Sequence, residues 1–225
     1  MPDPGVLGGL VAFGCLVFGS IGGIAWKIRR DSAEVLDDVG DMRTVPLVRI
    51  GEARDEQMVR FAGRVVVDDV EIPMAPVSGR PCVAWQLSIT APWKLGRDVI
   101  LERNGCSSFL IDDGSGRARV VGNPKVWALA TRLEGQGSGD DVPPTLAAWL
   151  EENHASDEWR DLPELRWSET RVEPGDELAV VGIAHVRIDV DGDSAGYRDA
   201  PMLITVEDSD NAPLSLGDDP SLRRA

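Results

Sequence analysis

Apolar residues recur at every second position along most of the chain. In "MVRFAGRVVVDD", Val59, Phe61, Val65 and Val67 share one face, which predicts a strand. Gly63 in its middle predicts a bulge or a close backbone approach. In "CVAWQLSI", Val83, Trp85, Leu87 and Ile89 point one way and Ala84, Gln86 and Ser88 the other. "DVILER", "SSFLID" and "RARVVG" are further strand candidates, as are "RWSETRV", "DELAVVGIAHVRIDV" and "PMLITV". The period changes once, in "PPTLAAWLEENH". There Leu146, Trp149 and Leu150 repeat at helical spacing behind prolines that a helix start tolerates. The preceding "EGQGSGDDV" reads as a flexible loop. Many short strands and one inserted helix predict a mainly β domain, a small barrel or sandwich. A five-stranded barrel of the oligonucleotide/oligosaccharide-binding (OB) kind is one candidate. Strand count alone does not separate the two.

The ends follow other patterns. Val6 to Trp26 carries no charge and, at 1.5 Å per residue, is about as long as a bilayer core is thick. It predicts a transmembrane helix, with Gly19 and Gly23 as a GxxxG pair for self-association. The start "MPDPG" lacks the basic residue of a cleaved signal peptide, so the span is expected to stay as an anchor. Lys27, Arg29 and Arg30 follow it. Positive residues stay cytoplasmic, so the N-terminus is expected outside and the main domain in the cytoplasm, at a prokaryotic plasma membrane. The expected organisation is an anchor with a basic flank over 1–30 and an acidic linker over 31–44, with at most one helical turn. A β-rich domain over 45–207 and a disordered acidic tail over 208–225 complete it.

Composition narrows the function classes. The 225 residues are 43% hydrophobic, enough for a substantial core, and carry a net charge of −15. A duplex is held by Lys and Arg neutralising phosphates, so nucleic acid is not an expected partner. Acid-rich, lysine-poor composition fits solvation at high salt and a GC-rich genome equally. Cys15, Cys82 and Cys106 form no CxxC or CxxH pair, so no local structural zinc site is expected. Cys82 and Cys106 read as buried free thiols, or as a disulfide in an oxidising compartment.

The stretch "NGCSSFLIDDGSGRARVVGNP" lacks the lysine of a Walker loop, and Arg119 breaks a GxGxxG reading. It predicts strand, turn, strand: Phe109 and Ile111 inward, Asp112–Gly116 reversing, Ala118 and Val120 returning. Arg117 and Arg119 would face outward as candidate partner contacts. "DVDGDSAG" has Ser194 where a calcium loop needs glycine and Ala200 where it needs glutamate, so it reads as a polar turn. The formal GxSxG around Ser194 is followed by strand-like sequence, and both histidines, His154 and His185, precede it. No catalytic residue, metal ligand or cofactor is expected, and the chain is not expected to be an enzyme.

Three stretches carry a family resemblance. In "APVSGRPCVAWQLSI", Pro76, Ser78, Gly79, Cys82 and Trp85 match a proline-x-serine-glycine…cysteine-x-x-aromatic pattern. "FLIDDGSGRARV", with Phe109, Asp112, Gly114 and Gly116, matches a phenylalanine-led strand and acidic-glycine hairpin. "SETRVEPGDELAVVGIA" supplies Glu169, then Pro174, Gly175 and Asp176, then a hydrophobic strand ending in Gly182. Together they resemble the GIDE, or beside-a-membrane, domain of membrane-anchored RING E3 ubiquitin ligases, over roughly Val45 to Val206. The resemblance implies a β domain beside a membrane that contacts a protein partner. Those ligases also carry a second span and a C-terminal RING. Three cysteines cannot build a RING, so ligase activity is not expected to carry over. The expected function is a single-span, non-catalytic binding protein. The alternatives are a tethered component of a ubiquitin-like conjugation pathway acting with a separate catalytic subunit, and an OB-like ligand-binding barrel.

Overall fold

A computed structural model describes residues 38–68, 72–93, 96–153, 157–188, 202–209 and 212–224. The predicted span, its GxxxG pair and basic flank, His154, and the Asp189–Gly196 turn with Ser194 lie outside them. No helix among the described residues is long and apolar enough to cross a membrane.

The architecture is mainly β and is built on a closed five-stranded barrel. Its strands are β1 (Gln57–Val66), β4 (Phe109–Asp112), β5 (Arg117–Val120), β10 (Met202–Glu207) and β9 (Glu177–Ile188), and β9 returns to β1. Every barrel pairing is antiparallel except that of β10 with β5. Alternation explains the barrel interior. Val59, Phe61 and Val65 of β1 meet Phe109, Ile111, Ala118, Val120, Val180, Ile204 and Val206, all buried. Gly63 makes the close approach its position suggested: a Cβ there would lie 2.4 Å from the Asp112 carbonyl oxygen.

The two longest connections leave the barrel and pair with each other. Between β1 and β4 run β2 (Ala84–Trp93) and β3 (Gly96–Cys106). Between β5 and β9 run β6 (Val126–Ala128), β7 (Leu133–Gly137), the helix Pro144–Glu152 and β8 (Leu165–Val172). They form a second sheet in the order β3-β2-β8-β7. Its core contains Leu87, Ile89, Leu165 and Trp167 of the sheet, with Leu146 and Leu150 of the predicted helix. β2 serves both cores, because Val83 and Ala84 at its start pack with the barrel interior.

Three expectations fail. "EGQGSGDDV" is not a loop throughout, since its first residues form most of β7. Trp167 stands directly opposite Gly135, and a Cβ there would lie 2.4 Å from the indole Nε1. The ring covers the glycine, so a weak strand former is held in the sheet. Trp85 and Gly105 repeat the arrangement across β2 and β3. The acidic linker is not open chain to residue 44: residues 38–44 are helical, and Val39, Met42 and Val45 are buried against Ala128, Ala179, Val181 and Leu222. The acidic tail is not disordered. It forms β11 (Ser215–Gly217), which pairs with β9 and β6, and a 3-10 helix, Pro220–Arg223, capped by Asp219. Average polarity hid the alternating Ala212, Leu214 and Leu216, all buried.

Leu216→Ala should therefore destabilise the protein by about 2–5 kcal/mol, the usual cost of emptying a packed leucine site. Urea unfolding of the full chain measures it. A loss below about 0.5 kcal/mol, typical of a surface site, would contradict a core role for the C-terminal strand.

Candidate functional site

The motif residues converge on the segment 73–82. It folds back on itself: Ala75 N donates to Arg80 O at 2.8 Å, Gly79 N to Ala75 O at 2.9 Å and Cys82 N to Pro73 O at 3.0 Å. Gly79, at φ +61°, adopts the left-handed conformation that favours glycine. Pro76 and Val77 are buried beneath the turn. Opposite it, alternation along β8 and the residue beyond puts Glu169, Arg171 and Glu173 on one side.

Glu169 is completely buried. Its Oε2 accepts from Val77 N at 2.7 Å and Ser78 N at 3.1 Å. Its Oε1 accepts from Ser78 Oγ at 2.6 Å and Arg171 Nη1 at 3.2 Å. A carboxylate has about four acceptor positions, and all are used. Arg171 Nε donates to Glu173 at 2.7 Å, and Arg80 reaches the same carboxylate at 3.3 Å. The Arg171 bond holds the Glu173 carboxyl below the usual carboxylate range. Thr145, in the first turn of the helix Pro144–Glu152, donates its hydroxyl to Val77 O. Sheet and helix both pin the loop.

The third stretch continues from there. Asp176 accepts from Glu173 N at 2.8 Å, and Gly175, at φ +91°, donates to Val65 O at 2.9 Å. The turn after Pro174 thus hangs on β1. Gly182 of β9 stands opposite Val59 of β1, and Val206 Cγ1 would lie 2.7 Å from a Cβ added to it. The first and third stretches form one hydrogen-bonded unit, whereas the second lies on the other side of β1, in β4 and β5. Phe109 and Ile111 point into the barrel as expected. In its turn, Asp112 accepts from Gly114 N at 2.8 Å. Asp113 accepts from Ile50 N at 2.8 Å, Ser115 N at 2.8 Å and Gly116 N at 3.1 Å.

The two candidate contact arginines are engaged within the chain. Arg117 Nε is 2.9 Å from Asp112, and Arg119 pairs with Asp68. Cys82 and Cys106 are free thiols. Each is pushed up to about 12 by burial, and Cys82 also by the neighbouring Glu169 carboxylate. Trp85 meets Trp149 edge to face, with centroids 5.6 Å apart. Among the described residues no group of three or more His, Cys, Asp or Glu side chains is placed to hold a metal ion.

Sequence reasoning marked Glu169 but missed its partner Arg171. The signal was present: glutamate, arginine, glutamate at every second position of a half-buried strand.

Glu169→Gln should cost about 3–5 kcal/mol, because it breaks the buried pair with Arg171, leaving that cation only the part-exposed Glu173, and it sets an amide N–H2 among the donors of Ser78 and Arg171. Combined with Arg171→Met, the loss should be smaller than the sum of the two single losses. Strict additivity in urea unfolding would refute the coupling. A second expectation concerns acid. Desolvation opposes ionisation of Asp113, but hydrogen bonds from Ile50, Ser115 and Gly116 together outweigh it, so its folded pKa lies below its unfolded value. Its contribution is then complete above the unfolded value, about 4, and is lost as pH falls through the folded one. The stability difference between wild type and Asp113→Asn should be constant from pH 7 to about 5 and shrink below about 4. A gap that widens on acidification would contradict this.

No protein-family model matches the chain, and no curated protein or solved structure matches it.

Proposed function

We propose that the chain is a membrane-tethered, non-catalytic binding module whose β domain presents a preformed surface to a protein partner. One observation carries the reading: the polar groups of the motif stretches are spent on holding loops. Glu169, Asp113 and Asp176 all accept backbone N–H groups. Such an arrangement fixes a shape and leaves chemistry to others. The resemblance of the three stretches to the GIDE domain supports a place beside a membrane, with the uncharged Val6–Trp26 run as tether.

The barrel favours a finer reading as OB-like. Numbered within the barrel, its strands run in the order 1-2-3-5-4 and close on 1, with the third and fifth parallel. This favours a second reading, a ligand-binding OB barrel using the outer face of β4 and β5. The net charge of −15 and the ion-paired arginines of that face weigh against an oligonucleotide as its ligand.

Crosslinking in intact membranes, followed by pull-down of the tagged full chain, tests the proposal. A partner should be recovered that is lost when residues 38–224 are deleted. Recovery unchanged by that deletion would place the contact in the anchor and sink the module reading. Retention of a single-stranded oligonucleotide on a filter, weakening as salt rises, would favour the OB ligand barrel instead.

A further inference from the structure

β3 is an outermost strand of the second sheet, and among the described residues it pairs with β2 alone. The phase of that pairing shows which backbone groups it leaves over. Ser107 N donates to Val83 O at 2.8 Å, and Cys106 stands opposite Ala84. Hydrogen-bonded and non-hydrogen-bonded pairs alternate along an antiparallel ladder. Gly105, Arg103 and Leu101 therefore turn their N–H and C=O groups towards β2, and Asn104 and Glu102 turn theirs away. A side-chain bond agrees with this phase: the Glu102 carbonyl accepts from Arg103 Nη1 at 3.0 Å. The guanidinium holds a place that the N–H of a further strand would take. Glu102, Arg103 and Asn104 are all exposed.

An open edge is a template for another strand. Proteins blunt such edges by shortness, lysine, proline, bulges or a covering element. β3 is 11 residues long and contains neither proline nor lysine. Its one irregularity lies opposite the step from Ile89 to Thr90, so the half from Leu101 to Cys106 keeps a regular register. The other edge of the sheet is less open. β7 has 5 residues, and the chain just beyond it is tied down where Gly139 N donates to Leu162 O at 3.0 Å.

We propose that the regular half of β3 is a docking edge, which takes an extended, net-basic segment of a partner protein as an added antiparallel strand. Antiparallel is the sense of every pairing in this sheet. The inference rests on the reading of the chain as a protein-binding module and names how that module holds its partner. Main-chain bonds to Glu102 and Asn104 supply the grip, and side chains on alternate faces supply the selection. Leu101 packs on the second core, whereas Glu102 and Asn104 belong to the other face. A fitting strand sets apolar residues beside Leu101 and a basic residue opposite Glu102. The net charge of −15 favours the same occupant and makes two copies of this chain repel. A second copy also fits the register poorly, because a two-fold axis through Glu102 or Arg103 sets that charge against itself.

The test is fluorescence anisotropy of labelled peptides on the purified full chain in non-ionic detergent. The probe is a short blocked peptide alternating valine and lysine, with two twins of equal charge. One twin is N-methylated on the lysines, whose N–H groups would face β3, and the other on the valines, whose N–H groups would face away. Wild type should bind the probe and the valine twin, and bind the lysine twin at least about tenfold more weakly. Asn104→Pro should weaken the probe by a similar factor. That variant removes an N–H that bonds to nothing within the sheet, where an edge strand tolerates proline. If it does not fold, the twins decide alone. Equal binding of both twins, undiminished binding by folded Asn104→Pro, or no binding of the probe would each overturn the proposal. Crosslinking in membranes separates this from the module reading. A partner that deletion of residues 38–224 removes but Asn104→Pro keeps would sink the edge and leave the module standing. Recovery of no partner at all would count against the module.

Discussion

The buried carboxylate of Glu169 decides how the two sheets relate. It sits in β8, inside the second sheet, yet its acceptors are filled by Val77, Ser78 and Arg171. Residues 73–82 form the connection that carries the chain from the barrel strand β1 to β2 of the second sheet. An ion this deep is tolerable only if every acceptor is satisfied. That requirement fixes the loop's conformation to the register of β8. The next residues then have little freedom: Val83 N donates to Val172 O at 2.8 Å, and β2 starts in register with β8.

The same constraint explains how a closed barrel tolerates such long excursions. Closure leaves this barrel little free edge, and the stretch of β9 beyond β10 is taken by β11, so the strands of the second sheet leave through the connections. Both excursions are long, and closing each alone would cost chain entropy. Pairing β2 with β8 makes each the other's neighbour, and the Glu169 bonds and the β2–β8 ladder lie at the same joint. The Trp85–Gly105 and Trp167–Gly135 stacks finish the outer strands, where glycine alone would fray.

Period-two segments were legible in the sequence because each faces one core. β1, β4, β5, β8, β9 and β10 all fall where alternation placed strands, and the helical period of "PPTLAAWLEENH" became the helix Pro144–Glu152. The failures share a cause: local composition spoke against what tertiary contact supplied. Gly135 is a poor strand former until Trp167 covers it. The segment after Asp208 reads as polar on average, although Leu214, Leu216 and Leu222 fill sites on the barrel. Arg60 falls between the core-facing Val59 and Phe61 of β1, yet it too is buried. Nothing in a strand's alternation reveals that its outer face will be covered by both ends of the chain.

Carboxylates also show why an acidic chain need not be merely well solvated. Asp113 holds the 3-10 turn Ile50–Glu52 to the β4–β5 hairpin. Asp176 shapes the turn between β8 and β9, and Asp219 caps the C-terminal helix. Each uses a short side chain to take up at least one backbone N–H of a turn, and Asp113 takes three. Part of the negative charge is therefore structural, placed where loops lack their own hydrogen bonds. Asp113 accepts three backbone N–H groups, and through them the aspartate-rich hairpin between β4 and β5 is joined to the turn Ile50–Glu52.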